Sequence, residues 1–391
     1  MTTAAPTPSA APAPGPAPAH GPAATLALPR RWRVPGWGAV LLLAIVAELC
    51  YFTLTTRQFA GGGEGMLNLT EQFAPTGVLA LGLAMVILTG NIDLSCAANA
   101  SLAAVIAGTV LEKGGSPAVA ILAAVAVATF VGLFNGVIVA YVGIDSLLVT
   151  LATQFIITSV ATSVAGASPP FGFPGSFTLL GQSGIDYIPI ALLVFLVIAL
   201  AVIATTSYTG LGRSLTLIGY NPRAAQYSGI AIRRSLTWVF TICGALSGVA
   251  GVLLAAYYNS AQPDIGTDLL LPAITAVILG GMDIFGGRGR IGEVVLAVFA
   301  LGYLSQGMLI EGDSSLSITM ITGLVLIGAL VVKFAFERNF RQRMSARMLR
   351  LRNPLQRTPP YGPSAPPSPP IQTAPPSPSS PPTPSPRDAD G

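Results

Sequence analysis

The sequence is poor in the side chains on which most enzyme chemistry depends. Its 391 residues include a single histidine, His20, which lies in an Ala/Pro-rich stretch near the N-terminus. A catalytic triad, zinc site or proton relay built on histidine is therefore excluded from the apolar part of the chain. The lysines, Lys113 and Lys333, precede Gly and Phe, so no phosphate loop of the G-x-x-x-x-G-K-[ST] type is present. We predict a protein that is not an enzyme and has no ATPase site, cofactor or metal of its own.

Charged residues are equally scarce. They make up 9% of the chain, against roughly 25% in ordinary soluble domains, while 52% of the residues are hydrophobic. Aromatic residues are only 7% and glycines number 43, which predicts membrane helices that pack through small side chains. Cys50, Cys96 and Cys243 stand inside apolar runs, which indicates small core residues rather than a disulfide framework. We attribute the net charge of +4 to membrane topology and expect no nucleic-acid partner.

The two ends of the chain differ from its middle in composition. Ala and Pro dominate residues 1–33, whereas residues 341–391 are basic at first and then rich in Pro and Ser. Such compositions bury too little apolar surface to fold, so both ends are predicted to be disordered tails. Residues 34–340 are predicted to form the transmembrane domain.

Apolar runs long enough to cross about 30 Å of hydrocarbon fill this middle region. The predicted spans are residues 38–55, 74–90, 93–111, 117–141, 146–166, 187–207, 235–258, 268–282, 291–310 and 315–336. The sequence therefore predicts an all-α integral membrane protein with about ten transmembrane helices.

Basic residues are distributed unevenly over the connections between the spans. If the N-terminus is cytoplasmic, the outside receives only Arg57 and Lys113. The inside then receives the C-terminal basic run and Arg30, Arg31, Arg33, Arg213, Arg223, Arg233, Arg234, Arg288 and Arg290. Because Lys and Arg accumulate on the cytoplasmic side of membrane proteins, we predict that both termini are cytoplasmic.

Two glycine-containing breaks interrupt the apolar segments in a similar way. They are ILTGNIDLS, residues 87–95, and VILGGMDIFGGRGRIG, residues 277–292, and each places an aspartate, Asp93 or Asp283, after the glycine. Both preceding spans are predicted to run inward, so the breaks indicate a parallel internal repeat. Interrupted helices in matching positions point to a transport pathway.

Each break also has a plainer interpretation. Gly90, Gly280 and Gly281 can cap helices at the cytoplasmic face and leave the aspartates in water. We favour this interpretation for Asp283, which two arginines follow. For Asp93 both interpretations stay open, because the sequence around it has almost no polar loop.

Polar residues inside the apolar segments are candidates for the path of a hydroxylated solute. They are Asn91, Asp93, Ser95, Asn99, Asn135 and Gln154. Asn135 lies within a Gly-x-x-x-Gly motif, so hydrogen bonding between close helices is the alternative there. Glu48, in the first span, is either a coupling carboxylate or, as we favour, an acid paired at a helix interface. Gly244, Gly248 and Gly251 predict a packing face on the seventh span.

The polar segment GRSLTLIGYNPRAAQYSGIAIRR, residues 212–234, is long and basic for a connection between spans. Asn221 and Pro222 predict a helix start, with Asn as the N-cap and Pro at the first position. Ala224 and Ala225 permit close docking of a partner, and Gly229 can end the turn. A plain connecting loop is the alternative.

Four elements, in their order and spacing, resemble the membrane subunit of ribose-type ABC sugar importers. They are ILTGNIDLS, GRSLTLIGYNPRAAQYSGI, SAQPDIGTD and AVILGGMDIFGGRGRI, and the resemblance extends over residues 75–331. It implies a permease of the bacterial cytoplasmic (inner) membrane that pairs with a second permease copy. It also implies two cytoplasmic ATPase subunits, which carry ATP and Mg, and an extracytoplasmic solute-binding protein.

The same resemblance implies how the subunits communicate. The family's coupling loop has the pattern N-x-x-A-A-x-x-x-G-I, which Asn221, Ala224, Ala225, Gly229 and Ile230 match. Closure of the ATPases would move this loop and switch a pathway for a monosaccharide such as a pentose, a hexose or a related sugar. A bulky residue at position 225 is then expected to uncouple ATP hydrolysis from transport.

Two other functions stay open from the sequence. An ion-coupled secondary transporter would use Glu48 or Asp93 as its coupling carboxylate. An ABC permease for a nucleoside or an amino acid is the second alternative, because the polar path residues are too neutral to exclude either solute.

Overall fold

Helices make up about four fifths of the described structure. This computed structural model describes residues 37–56, 63–182, 184–185, 188–329 and 331. These residues belong to a unit that ends at Lys333. The predicted tails 1–33 and 341–391, together with His20 and Arg57, lie outside the described residues.

The helices are numbered here in chain order. They are α1 (Trp37–Thr55), α2 (Gly63–Asn68), α3 (Thr70–Leu88), α4 (Cys96–Glu112), α5 (Pro117–Val137), α6 (Ser146–Ala165), α7 (Gly175–Gln182), α8 (Ile190–Tyr208), α9 (Gly210–Tyr220), α10 (Pro222–Tyr227), α11 (Ile232–Tyr258), α12 (Leu270–Leu279), α13 (Ile291–Glu311) and α14 (Ser315–Ala329). A π-helical turn, Ile138–Val142, extends α5, and a 3₁₀ turn, Thr267–Leu269, precedes α12. Two short antiparallel strands, β1 (Gly184–Ile185) and β2 (Ile188–Pro189), lie before α8.

Among the described residues, seven helices are long and apolar enough to cross a membrane. They are α1, α3, α5 with its π turn, α6, α8, α11 and α13, with lengths of 19 to 27 residues. The remaining predicted spans overlap three shorter apolar helices, which are α4, the segment Thr267–Leu279 and α14. The all-α membrane class is therefore confirmed, whereas the total of about ten spans and the cytoplasmic location of both termini stay predictions.

The starts of α5 and α6 follow from their local sequences. Ser116 caps α5, its hydroxyl accepting the N–H of Val119, and Pro117 occupies the first helical position. Asp145 caps α6, where its Oδ1 accepts the N–H of Leu147 at 2.9 Å. Each cap fixes the start of its helix directly after a short connection, α4 to α5 at Ser116 and α5 to α6 at Asp145.

Helix α11 is the centre of the bundle and packs against α5, α3 and α4. Its contact with α5 depends on glycine, since a Cβ added at Gly132 would lie 2.8 Å from the Cα of Gly244. One turn further along α11, a Cβ at Gly248 would lie 2.9 Å from the Cα of Val125. The predicted small-residue packing face is confirmed, because side chains larger than hydrogen would push these backbones apart.

Helix α1 runs parallel to α13 along the edge of the bundle. The Trp37 indole N–H donates to the carbonyl of Leu279 at 2.8 Å, and the Thr55 hydroxyl donates to Glu311 Oε1 at 2.9 Å. Glu48 lies half-buried on α1, and its buried Oε2 has no hydrogen-bond partner among the described residues. We favoured a Glu48 carboxylate that is paired at a helix interface. The described contacts of Oε2 show no such partner.

Candidate functional site

The predicted coupling segment folds into the short helix α10. Asn221 is its N-cap, with its Oδ1 accepting the N–H of Ala224 at 3.1 Å, and Pro222 is the first helical residue. Gly229 follows with φ +75°, a conformation that glycine adopts without strain. The helix start predicted from Asn221 and Pro222 is confirmed, and the coupling role of the segment stays a prediction.

The exposed face of α10 differs from the one expected. Ala225 is only 2% exposed, whereas Tyr227 is 92% exposed, and Arg223 and Ala224 are exposed as well. The expectation that the Ala225 side chain contributes a docking surface is wrong, because that methyl group faces inward where α10 packs against α9 and α11. A bulky residue at position 225 would therefore disturb internal packing, and the outward face belongs to Tyr227.

The break between α3 and α4 carries a chain of buried hydrogen bonds. Asp93 Oδ1 accepts the Ser95 N–H at 3.0 Å and the Ser95 hydroxyl at 2.6 Å. The Asn135 amide of α5 donates to Ser95 Oγ at 2.9 Å, and its carbonyl oxygen accepts from the Thr153 hydroxyl of α6 at 2.7 Å. The break is thus linked to two neighbouring helices by side-chain hydrogen bonds.

Hydroxyl groups of α6 also satisfy the interrupted backbone itself. The N–H of Ile92 donates to Ser146 Oγ and the N–H of Leu94 donates to Thr150 Oγ1, both at 3.2 Å. Non-helical backbone at membrane depth needs such partners, because lipid offers none. Sequence reasoning missed Ser146, Thr150 and Thr153, although their spacing on one face of α6 was a signal.

Most of the predicted path residues are enclosed by the helices. Asp93, Ser95, Asn99 and Asn135 are at most 2% exposed, and the Asn99 amide donates to the carbonyl of Ala128. These four side chains do not face solvent in this structure, and their role in a solute path stays a prediction. For Asn135 the alternative, hydrogen bonding between close helices, is what the structure shows.

The two remaining path candidates lie outside the Asp93–Thr153 hydrogen bonds. Asn91 is half-buried, and its amide donates to Thr89 Oγ1 at 2.9 Å. Gln154 is half-buried near the middle of α6, and no side-chain hydrogen bond to it is found within the described part of the chain. Gln154 therefore differs from the buried path candidates, since no described side chain or backbone group is hydrogen-bonded to its amide.

The second break repeats the local geometry of the first. Gly90 follows α3 with φ +80°, and Gly281 follows α12 with φ +77°. Asp283 Oδ1 accepts the N–H of the residue two positions on, Phe285, at 3.2 Å, as Asp93 does for Ser95. Asp283 is only half-buried, and Arg288 lies 4.0 Å from its carboxylate. This placement agrees with the favoured interpretation of Asp283 as part of a helix cap near water.

Both breaks meet the end of α9 at one point, which we call the glycine junction and define by Leu88, Gly90, Gly219, Gly286 and Gly287. The Gly287 N–H donates to the carbonyl of Leu88 at 2.9 Å. A Cβ at Gly219 would collide with that carbonyl and with the Gly287 nitrogen, and one at Gly286 would lie 2.7 Å from the Gly90 Cα. Three chain segments are therefore in backbone contact immediately before α10.

A cleft of about 330 Å³ lies at the other end of α4 from the first break. Its lining residues are Ser168, Pro169, Phe171, Ser260, Gln262, Pro263 and Asp264. Asn259, with φ +50°, holds the two loops together, since its carbonyl accepts the Gly172 N–H and its Oδ1 accepts the Phe173 N–H at 2.7 Å. Within the described ranges, no three His, Cys, Asp or Glu side chains are grouped to hold a metal ion.

Comparisons with known proteins match most of this chain. Residues 65–332 match the family described as branched-chain amino acid transport system / permease component. The chain is 34% identical over 302 residues to the autoinducer 2 import system permease protein LsrD of Yersinia pseudotuberculosis serotype O:3 (strain YPIII), covering 76% of this chain and 90% of that relative. The protein of the same name from Yersinia pestis (strain Pestoides F) matches with the same identity and coverage. A solved structure described as an inward-facing metal-chelate type ABC transporter is 12% identical, with a TM-score of 0.49 over 77% of this chain and 99% of its own.

Proposed function

Because the chain belongs to the branched-chain amino acid transport system permease component family, we propose that it is the permease subunit of an ABC importer for a sugar-type solute. It is a multi-pass protein of the inner membrane. Relatives that are 34% identical over 90% of their length are named for autoinducer 2 import, which supports a sugar-type solute. Within that class we propose a monosaccharide or a related sugar-derived molecule.

The observation that carries this proposal is helix α10 with its connection to both breaks. Asn221 fixes the start of α10, and Gly219 of the glycine junction lies two residues earlier in the chain. A force applied to α10 therefore reaches interrupted helices directly through backbone contacts. In the proposed mechanism, ATP and Mg are bound by the partner ATPase subunits, whereas this chain makes and breaks no covalent bond.

Partners are proposed for both ends of the molecule. Two ATPase subunits dock at α10 and its counterpart on a second permease copy. A solute-binding protein delivers solute at the cleft on the opposite end, where Gln262 and Asp264 provide polar groups beside the exposed ring of Phe171. The topology predicted from charge supports this assignment, because it places the loop containing Gln262 outside and α10 inside.

Gln154 is the proposed contact for the solute along the passage. It lies near the middle of α6, and Thr158 and Thr162 are exposed one and two turns further along the same helix. A neutral amide with neighbouring hydroxyls can exchange hydrogen bonds with a hydroxylated solute. By contrast, the buried hydrogen bonds of Asp93, Ser95 and Asn135 hold the α3–α4 break in place.

An amino-acid solute is the second candidate, since the matching family is described by branched-chain amino acid transport. The test is reconstitution of the permease with its ATPase and solute-binding protein in proteoliposomes, followed by ATP-dependent uptake of labelled monosaccharides and branched-chain amino acids. We expect uptake of a sugar-type solute that requires ATP on the side of the membrane where the ATPase is bound. This uptake is expected to persist when a protonophore is added. Uptake of amino acids alone would contradict the sugar assignment, and uptake abolished by the protonophore at constant ATP would indicate a secondary transporter.

A further inference from the structure

The loop between α12 and α13, residues 280–290, holds a large apolar side chain in an exposed position. Phe285 is 78% exposed, while Met282, Gly286 and Gly287 around it are buried. The loop is fixed internally, because the Asp283 N–H donates to the Arg288 carbonyl at 3.0 Å and the Gly286 N–H donates to the Asp283 carbonyl at 2.9 Å. These hydrogen bonds fix the backbone of the loop and therefore hold Phe285 in its exposed position.

This loop is joined to the segment that begins α10. A Cβ at Gly286 would lie 3.1 Å from the Gly219 Cα, and one at Gly287 would lie 2.6 Å from the Tyr220 nitrogen. The Arg288 guanidinium lies over the Tyr220 ring, 5.8 Å from its centroid. Tyr220 immediately precedes the N-cap of α10, so Phe285 and α10 are carried by segments in direct backbone contact.

The Phe285 loop and the segment around α10 both carry aromatic and basic side chains, which are typical of protein docking surfaces. Tyr227 is 92% exposed and Tyr220 is 53% exposed, so three large aromatic side chains, including Phe285, are presented at one end of the molecule. Residues 210–234 and 280–290 together contain six arginines against a single aspartate, Asp283. Tyr, Phe and Arg are enriched in the cores of protein interfaces, where a few such side chains account for most of the binding energy.

We propose that the Phe285 loop is a second contact for the ATPase subunit that docks on α10. This inference rests on the proposed function. Phe285 inserts into an apolar pocket of the ATPase that is rimmed by acidic residues, which complement the arginines of both segments. Because the glycine junction joins the loop to α9, the ATPase holds α10 and the second break as one unit.

The experiment titrates the purified ATPase subunit onto the full-length permease in nanodiscs and measures the dissociation constant. Phe285→Ala is expected to weaken binding about tenfold, which is more than the truncation of most interface side chains costs. Tyr227→Ala is the positive control for α10. Phe130→Ala is the matched control, because Phe130 is 66% exposed but lies within the apolar helix α5. It is expected to leave the dissociation constant within about twofold of wild type.

A second measurement separates a protein contact from a lipid contact. Phe285→Cys, made with the three native cysteines replaced by alanine, is expected to react with a water-soluble maleimide and to be protected by the ATPase. A thiol that does not react, or that the ATPase does not protect, would contradict the protein contact. Unchanged affinity of Phe285→Ala while Tyr227→Ala weakens binding would overturn this inference alone. Failure of the wild-type permease to bind the ATPase would overturn the proposed function as well.

Discussion

Two amides in the same part of the bundle have different environments. Asn135 is fully buried and hydrogen-bonded to Ser95 and Thr153, whereas Gln154 is half-buried on the helix that carries Thr153. An amide with buried partners contributes to stability, because its removal leaves those partners without a hydrogen bond. The proposed role of the Gln154 amide is solute binding instead, since it has no hydrogen-bond partner among the described residues.

Substitution of each amide by alanine tests this division of roles. Asn135→Ala is expected to lower the free energy of unfolding by about 1–3 kcal/mol, since Ser95 and Thr153 lose a buried partner. Gln154→Ala is expected to change the free energy of unfolding by less than about 0.5 kcal/mol but to reduce solute uptake. Thermal unfolding in detergent and uptake in proteoliposomes measure the two effects. Equal destabilisation by both substitutions would contradict the assignment of Gln154 to the passage.

At the scale of elements, α9 is the connection between α10 and the two breaks. Its last turn lies against the Leu88 carbonyl and the Gly287 nitrogen, with no room for a Cβ at Gly219. Because protein interiors have little free volume, a movement of one of these backbones either moves the others with it or breaks the contact between them. The position of α9 therefore sets the geometry of both breaks.

Gly219→Ala tests the junction. The added methyl group is expected to separate α9 from the first break, which lowers the amount of solute transported per ATP hydrolysed and destabilises the protein by about 1–3 kcal/mol. Gly210→Ala is the matched control, because a Cβ there would meet only the Arg213 side chain at 4.0 Å. Uptake and ATP hydrolysis are measured in the same proteoliposomes. If the two variants behave alike, the junction does not transmit movement.

At the scale of the whole molecule, the two proposed partner surfaces lie at opposite ends of the bundle. The cleft containing Ser168 lies near the C-terminal end of α4, and the glycine junction lies before its N-terminal end. Among the described residues between Ser168 and Ser228, one helix, α8, is long and apolar enough to cross a membrane. The two serines are therefore expected on opposite sides of the membrane.

Cysteine labelling of intact cells tests this orientation. Ser168→Cys and Ser228→Cys, each made with the three native cysteines replaced by alanine, place exposed thiols at the two ends. A membrane-impermeant maleimide is expected to label position 168 in intact cells and position 228 only after permeabilisation. Labelling of position 228 from outside would reverse the predicted topology, in which both termini are cytoplasmic.

Sequence patterns determined those features that depend on neighbouring residues alone. Apolar runs predicted the membrane helices because hydrocarbon demands a continuous apolar surface, and Asn221 with Pro222 predicted the start of α10 because capping is local. The four ordered motifs identified the family for the same reason, since each motif is contained in a short stretch of chain. The glycine at each break likewise predicted where the helices end, because glycine adopts a positive φ without strain and needs no distant contact to do so.

Tertiary structure alone decided which face of each element is covered. Ala225 and Tyr227 lie two residues apart on α10, yet one is buried and the other is almost fully exposed, because α9 and α11 cover only one side. Asp93 and Asn135 are separated by about 40 residues in sequence, and their shared hydrogen-bond chain through Ser95 exists only because α4, α5 and α6 pack together. The same packing brings Gly90, Gly219 and Gly286 to one point, since contacts between distant segments depend on the arrangement of the whole bundle.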